Sequence, residues 1–246
     1  MSGRDKMIKI QSKMQKLAAL LYPPRCVVCD EALVYAGRGV CPECRKKLRY
    51  VGGAVCMRCG KPMREQSTVY CEDCRENEHY FLGGRALYTY DSVAPSIYRF
   101  KYAGRREYGL FFAREIAYYL GDYIREISPD AIVPVPLHPR KERIRGYNQA
   151  EVVAKELGRM LDIPVFPKLV RRVEDTKPLK SMGPWERQNS LKKAFILGEN
   201  GVKLDTTIVI DDVFTTGNTI DAISRVLLEA KSMRIYFITL AIGEGI

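Results

Sequence analysis

The sequence predicts an α/β protein whose main domain is built on a parallel sheet, preceded by a small module too poor in apolar periodicity to build a core of its own. Three observations carry that reading. All eight cysteines of the 246-residue chain lie at or before position 74, as four Cys-x-x-Cys pairs. From Gly84 onward, short apolar runs alternate with helical patterns, the signature of strands joined by crossover helices. Near the C-terminal end, an unbroken apolar run leads into two acids and a threonine–glycine turn: Val209-Ile210-Asp211-Asp212-Val213-Phe214-Thr215-Thr216-Gly217-Asn218-Thr219.

Hydrophobic residues make up 46 % of the chain and charged residues 28 %, a balance that can bury a sizeable core. No apolar run approaches the ~20 residues needed to cross a bilayer, so no transmembrane segment is expected. Met7, Ile10, Met14, Leu17 and Leu21 recur every three or four positions among Lys6, Lys9, Lys13 and Lys16. This predicts an amphipathic helix over residues 1–22, docked on the protein, rather than a secretory signal. Cysteine-rich chains without an export signal use metal rather than disulfides, which places the protein in the cytoplasm. The net charge of +11 is uneven: residues 1–50 hold eleven Lys and Arg against four Asp and Glu. A basic segment suits a polyanionic partner, because cations that replace condensed counterions drive association.

The cysteines define a module over residues 23–80. Cys26 and Cys29, Cys41 and Cys44, Cys56 and Cys59, and Cys71 and Cys74 recur with eleven residues between successive pairs. Two thiolates two residues apart reach one metal from a tight knuckle, and two knuckles complete a tetrahedron. The eight therefore make two four-thiolate zinc sites, closed to water and structural. Pairing first with second and third with fourth is favoured, since each loop then closes locally at least entropic cost. Gly60 relieves the turn after Cys59. His79 reads as a surface histidine rather than a ligand.

Residues 81–246 supply the α/β domain. Arg85–Tyr90 alternates like a strand, and Ala94–Tyr102 and Glu107–Ile127 read as helices. Ala131–Val135 is a short buried strand, Asn148–Leu161 a helix, and Pro164–Val170 a further candidate strand. Thr207–Ile210 has the continuous apolar character of a central parallel strand. Asn218–Ala230 is a helix and Arg234–Leu240 a closing strand.

The acidic strand end carries the chemistry. Sheets of this class bind ligands beyond the carboxyl ends of their strands. There, Asp211 and Asp212 can accept hydrogen bonds from vicinal sugar hydroxyls. Thr215, Thr216 and Thr219 offer hydroxyls, and the amides of Gly217, Asn218 and the helix start form an anion seat. Together they describe a site for a phosphorylated ribose. Arg140, Lys141, Arg143 and Arg145 cluster beyond another strand end and suit pyrophosphate or a nucleic-acid backbone equally. Asn148 and Gln149 open the following helix close to the same ligand. Tyr98-Arg99-Phe100-Lys101-Tyr102 and Arg105-Arg106 interleave aromatic and basic groups, a pattern that can stack bases and screen phosphates or pack a helix face.

The segment Val209–Thr219 resembles the phosphoribosyl-diphosphate motif of type I phosphoribosyltransferases. Further stretches resemble the ComF family, also called ComFC: Leu21-Tyr22-Pro23-Pro24-Arg25-Cys26; Val133-Pro134-Val135-Pro136-Leu137-His138 with Arg143; Arg145-Gly146-Tyr147-Asn148-Gln149-Ala150; Lys101-Tyr102 with Gly104; and Arg187-x-Asn189 before Ala194-Phe195. They run in order over nearly the whole chain. The resemblance implies a double zinc ribbon joined to a type I phosphoribosyltransferase-like domain, acting in natural transformation, the uptake and processing of single-stranded DNA in bacteria. It implies that Asp211 and Asp212 bind the ribose hydroxyls, Thr215 to Thr219 the 5-phosphate, and the loop after Val135 a pyrophosphate carrying magnesium. It also places Lys101 at the ligand. The chain departs from the family at Leu179, where Gln is common three residues after the Thr matched by Thr176, in the segment that closes over substrate. Two readings follow: a DNA-uptake accessory that engages single-stranded DNA and competence proteins, and a transferase that passes ribose 5-phosphate to an unidentified acceptor.

Overall fold

The computed structural model describes residues 23–33, 39–63, 68–174, 194–198, 204–230 and 234–243. The amphipathic helix expected over residues 1–22 and the substrate-closing segment with Thr176 and Leu179 lie outside the described residues. The chain forms two compact units, Met1–Leu48 and Arg49–Ile246, so the division falls inside the stretch of residues 23–80 that the cysteines span.

In the smaller unit, Arg25 bridges Ala32 in antiparallel fashion, and Cys26 N–H donates to Glu31 O at 2.8 Å. A short helix, α1 (Pro42–Arg45), then presents Cys44. The larger unit opens with the same pattern at Cys56. Val55 bridges Pro62, Cys56 N–H donates to Lys61 O at 2.8 Å, and α2 (Glu72–Glu76) presents Cys74. The first knuckle of each set turns through a left-handed residue after its second cysteine: Asp30 at φ 65° and Gly60 at φ 74°. Asp30 tolerates that backbone because a short polar side chain suits it. Gly60 is required for a second reason, since it lies against the first strand of the sheet.

The strands of the larger unit are β1 (Gly83–Thr89), β2 (Ala131–Pro134), β3 (Val170–Arg172), β4 (Phe195–Leu197), β5 (Thr206–Phe214) and β6 (Arg234–Ile242). Four of them form one sheet in the order β1-β6-β5-β2, with every pair parallel. Both faces are covered, which is why the strands read as apolar runs rather than alternation. Ile208, Val209, Ile210, Phe237 and Ile238 are fully buried. The α/β class with a parallel sheet is therefore as expected from the sequence.

The helices are α3 (Tyr90–Tyr102), α4 (Tyr108–Tyr119), α5 (Gly121–Ile127), α6 (Pro139–Arg145), α7 (Gln149–Leu161) and α8 (Asn218–Glu229). Three elements differ from the sequence reading. The single helix expected over Glu107–Ile127 breaks at Leu120, whose φ of −115° and ψ of 5° leave the helical region. The candidate strand Pro164–Val170 reduces to one parallel bridge between Val165 and Ile132, followed by β3, which pairs antiparallel with β4 in a separate sheet. The basic cluster after Val135 is the helix α6. His138 caps it by accepting from Arg140 N–H, Pro139 stands in its first turn, and Gly146 at φ 84° ends it. No helix among the described residues is long and apolar enough to cross a membrane.

A β-carbon on Gly60 would stand 2.7 Å from Gly84 O and 3.1 Å from Arg85 Cα, both backbone atoms of β1. Gly60→Ala therefore combines left-handed strain with overpacking. It should cost ~2–4 kcal/mol, read as a lower calorimetric midpoint of the larger unit at equal zinc content. An unchanged midpoint would show that the knuckle does not rest on β1.

Candidate functional site

The sulfur atoms of Cys26, Cys29, Cys41 and Cys44 lie within 4.8 Å of one another, and so do those of Cys56, Cys59, Cys71 and Cys74. The pairs thus combine sequentially. Zn–S bonds of ~2.3 Å subtend S···S edges of about 3.8 Å in a tetrahedron. The observed Cys26–Cys41 and Cys59–Cys71 separations are 3.8 and 3.6 Å. Both sets fit zinc by donor type, number and spacing, and the metal would supply a cross-link to segments with little core. Burial pushes the Cys26 thiol up, but the amides of Cys29, Cys41 and Val28 bring it down to about 7. Cys56 also settles at about 7, through the amides of Cys59, Cys71 and Arg58. Burial raises Cys29, Cys44 and, to about 11, Cys71. The neighbouring Cys74 thiol and burial raise Cys59. Each set therefore holds a thiol poised to ionise among thiols whose protons a metal must displace. Cys56, Cys59 and Cys74 also belong to the apolar core, packed in one cluster with Phe81, Ala86 and Phe237.

The acidic pair sits in the C-terminal half of β5, a central strand that runs on through Val213 to Phe214. Asp212 is only 7 % exposed. Its carboxylate is taken on both sides: Lys101 Nζ reaches Oδ1 at 2.6 Å, and Gln149 Nε2 donates to Oδ2 at 2.6 Å. Arg145 in turn donates to Gln149 Oε1, and its guanidinium lies 5.1 Å from the centre of the Tyr102 ring. Burial opposes the charge on Lys101, yet Asp212 and Asp211 hold its ammonium above the usual value. Asp211 Oδ1 accepts the Asp212 amide at 2.8 Å. Burial, followed by the charge of Asp212, pushes Asp211 up to about 7.

The turn after β5 is fixed from below. Phe214 stacks on Phe237 with ring centres 4.6 Å apart, and Phe81 meets both edge-on. Gly217 has φ 83°, and a β-carbon there would stand 3.2 Å from both the His79 and Phe214 rings. Among the described residues no side chain caps α8, which leaves its first amides to whatever sits above the loop. Thr215 and Thr216 are exposed, and Asn218 and Thr219 are half-buried.

The structure brings Lys101, Arg145, Gln149 and Asp212 into one bonded chain, with Asp211 and the Thr215–Thr219 turn continuous with it along β5. Asn148 is committed elsewhere. Its Oδ1 caps α7 through Ala150 N–H at 3.0 Å, and its Nδ2 donates to Val135 O at 2.9 Å, so it shapes the fold rather than the ligand surface. Arg140 and Arg143 stand exposed on α6. His79 is not a surface histidine. Its side chain is 5 % exposed, it bonds Asp221 at 2.8 Å, and it stacks on Phe81 at 4.6 Å. Tyr80 N–H donates to the other Asp221 oxygen at 2.8 Å. The sequence reading missed Asp221, whose only signal was an acid in the first turn of the helix after Gly217.

Residues 17–75 match the family model for a double zinc ribbon domain. Competence protein F of Haemophilus influenzae is 40 % identical over 101 residues, covering 40 % of this chain and 44 % of that protein. Competence protein ComFC of Bacillus subtilis is 30 % identical over 150 residues, 59 % of this chain and 58 % of that one. The chain is similar to both competence proteins over part of its length. DNA utilization protein YhgH of Escherichia coli is 31 % identical over 139 residues, 55 % of this chain and 61 % of that protein. The matched stretches thus span roughly half the length of these ComF-like relatives. A purine phosphoribosyltransferase from Pyrococcus horikoshii superposes with a TM-score of 0.36 at 19 % identity, over 54 % of this chain and 73 % of that one. At that score the parallel sheet order above, not the superposition, describes the fold.

Two outcomes follow. Elemental analysis of protein purified without added metal should give about two zinc atoms per chain, each site contributing folding free energy; no zinc with eight freely reactive thiols would contradict the assignment. The second concerns Asp211. A carboxyl raised in the folded state costs stability as pH climbs from its unfolded value, near 4, to its folded value of about 7, and the cost is complete above that. Asp211→Asn removes it, so the variant's gain in thermal midpoint over wild type should be larger at about pH 8 than at about pH 5.5. A gain independent of pH would show that Asp211 titrates normally.

Proposed function

We propose that this ComF-like protein binds phosphoribosyl diphosphate, or a related phosphorylated ribose, with magnesium at the Asp211–Thr219 strand end. In this reading it serves natural transformation in the cytoplasm, in the uptake and processing of single-stranded DNA alongside competence proteins. One observation carries the pocket assignment: a single stretch of chain joins an acceptor carboxylate, Asp211, to an uncapped helix start at a left-handed glycine. The names of the relatives, competence protein and DNA utilization protein, support the cellular role.

The ribose hydroxyls would donate to Asp211 and, once Lys101 turns to a phosphate, to Asp212. The 5-phosphate would accept from the amides and hydroxyls of Thr215 to Thr219. Magnesium would screen the pyrophosphate, with Asp211 and Asp212 as the nearest carboxylates to hold it. Lys101 and Arg145 place two cations beside the same ligand. No covalent nucleophile is needed for either binding or transfer, since departure of pyrophosphate asks only for positioning and charge stabilisation.

Calorimetry tests the pocket. Wild-type protein should bind phosphoribosyl diphosphate with magnesium. The folded double variant Asp211→Asn with Asp212→Asn, which loses two charge-assisted acceptors of ~1.5–3 kcal/mol each, should bind at least ~100-fold more weakly. Unchanged affinity would mean that the strand end is scaffold only. Pyrophosphate released during the same titration would move the reading to a transferase.

A further inference from the structure

The groove beside the pocket is lined by Lys101, Tyr102, Gly104, Lys141, Ile144 and Arg145, with a volume of about 400 Å³. Among the described residues three cations and no acid line it. At its rim α3 carries Tyr98 and Tyr102, four residues apart and so on one face of the helix. They are 64 % and 65 % exposed, and Ile144 across the groove is 79 % exposed. The opposite face of α3 is buried through Val93, Ile97 and Phe100, so the two tyrosines are not needed to dock the helix. Their rings pair with each other at 5.1 Å, and Arg145 covers Tyr102.

We propose that this groove is where a single strand of DNA binds, its bases stacked on Tyr98 and Tyr102 and its phosphates beside Lys101, Lys141 and Arg145. The inference rests on the reading that the protein engages single-stranded DNA, and adds where and how. Aromatic faces accept any unpaired base, and a cationic groove follows the backbone, a combination that binds strands without reading sequence. A duplex keeps its bases stacked internally and offers nothing to the tyrosines. An acidic peptide would use the cations without needing the exposed rings. Apolar Ile144 gives the sugar–base edge a dry contact opposite the stack.

Fluorescence anisotropy with a labelled oligo-dT of about 12 nucleotides, within the usual site range, decides the matter at low salt. Tyr98→Ala with Tyr102→Ala should bind at least ~10-fold more weakly than wild type, while Tyr98→Phe with Tyr102→Phe, which keeps both rings, should stay within about 2-fold. The alanine pair should leave binding of a duplex of equal length unchanged, with thermal midpoints confirming that both variants fold. Oligo-dT affinity untouched by the alanine pair, or an equal loss for strand and duplex, overturns the groove assignment alone. Absence of oligo-dT binding by wild-type protein overturns both the groove and the DNA role proposed above.

Discussion

Two carboxylates side by side at the buried end of a central strand cannot both stay ionised without local compensation. The structure compensates one of them with Lys101 and Gln149, each 2.6 Å from Asp212. Much of the larger unit is arranged around that requirement. Lys101 arrives from the last turn of α3, and Gln149 from the first turn of α7. The turn that delivers Gln149 is fixed by Asn148, which caps the helix and ties it to Val135. Removing one partner of such a buried pair leaves an uncompensated charge, at a cost of ~3–5 kcal/mol. Among the described residues Asp211 has no such side-chain partner, and burial with the neighbouring Asp212 charge raises its carboxyl to about 7. In the structure Lys101 and Gln149 hold the Asp212 carboxylate, while Asp211 Oδ1 accepts the Asp212 amide.

The turn after β5 is held by a different kind of support. Phe214, Phe237 and Phe81 form a rigid aromatic base, and His79 stacks upon it before bonding Asp221 in α8. These residues lead directly out of the second cysteine set, whose Cys56, Cys59 and Cys74 share the same core cluster. Metal at that set and order in the turn thus draw on one packed body. The first cysteine set belongs to the smaller unit. The two cysteine sets repeat in sequence and hydrogen bonding, but Gly60 lies against β1, which is why the turn after Cys59 needs glycine where the turn after Cys29 accepts Asp30.

Local features were legible in the sequence, and long-range ones were not. The cysteine spacing, the apolar runs of β5 and β6, and the Asp211–Thr219 stretch each carry their meaning within a few residues. The chain from Arg145 through Gln149 to Asp212 and Lys101 does not, because Asp212 lies 111 positions from Lys101 and 63 from Gln149. Helix α6 escaped because none of its residues is buried, so no apolar period marks it. The break at Leu120 escaped for the opposite reason: α4 and α5 both carry apolar faces, and periodicity runs through the kink. The pairing of β3 with β4 joins three-residue strands too short to show a pattern. His79 looked like a surface residue because its partner, Asp221, lies 142 positions away.

The proposed ligand site has Asp211 and the helix start at Gly217 as its two ends, with Asp212 beside Asp211 on the same strand. A crystal structure with ribose 5-phosphate tests this most directly. The account predicts the 5-phosphate on the amides of Thr215 to Thr219 and a ring hydroxyl within hydrogen-bonding distance of Asp211. A phosphate seated instead on the arginines of α6, with no sugar contact to Asp211, would contradict it.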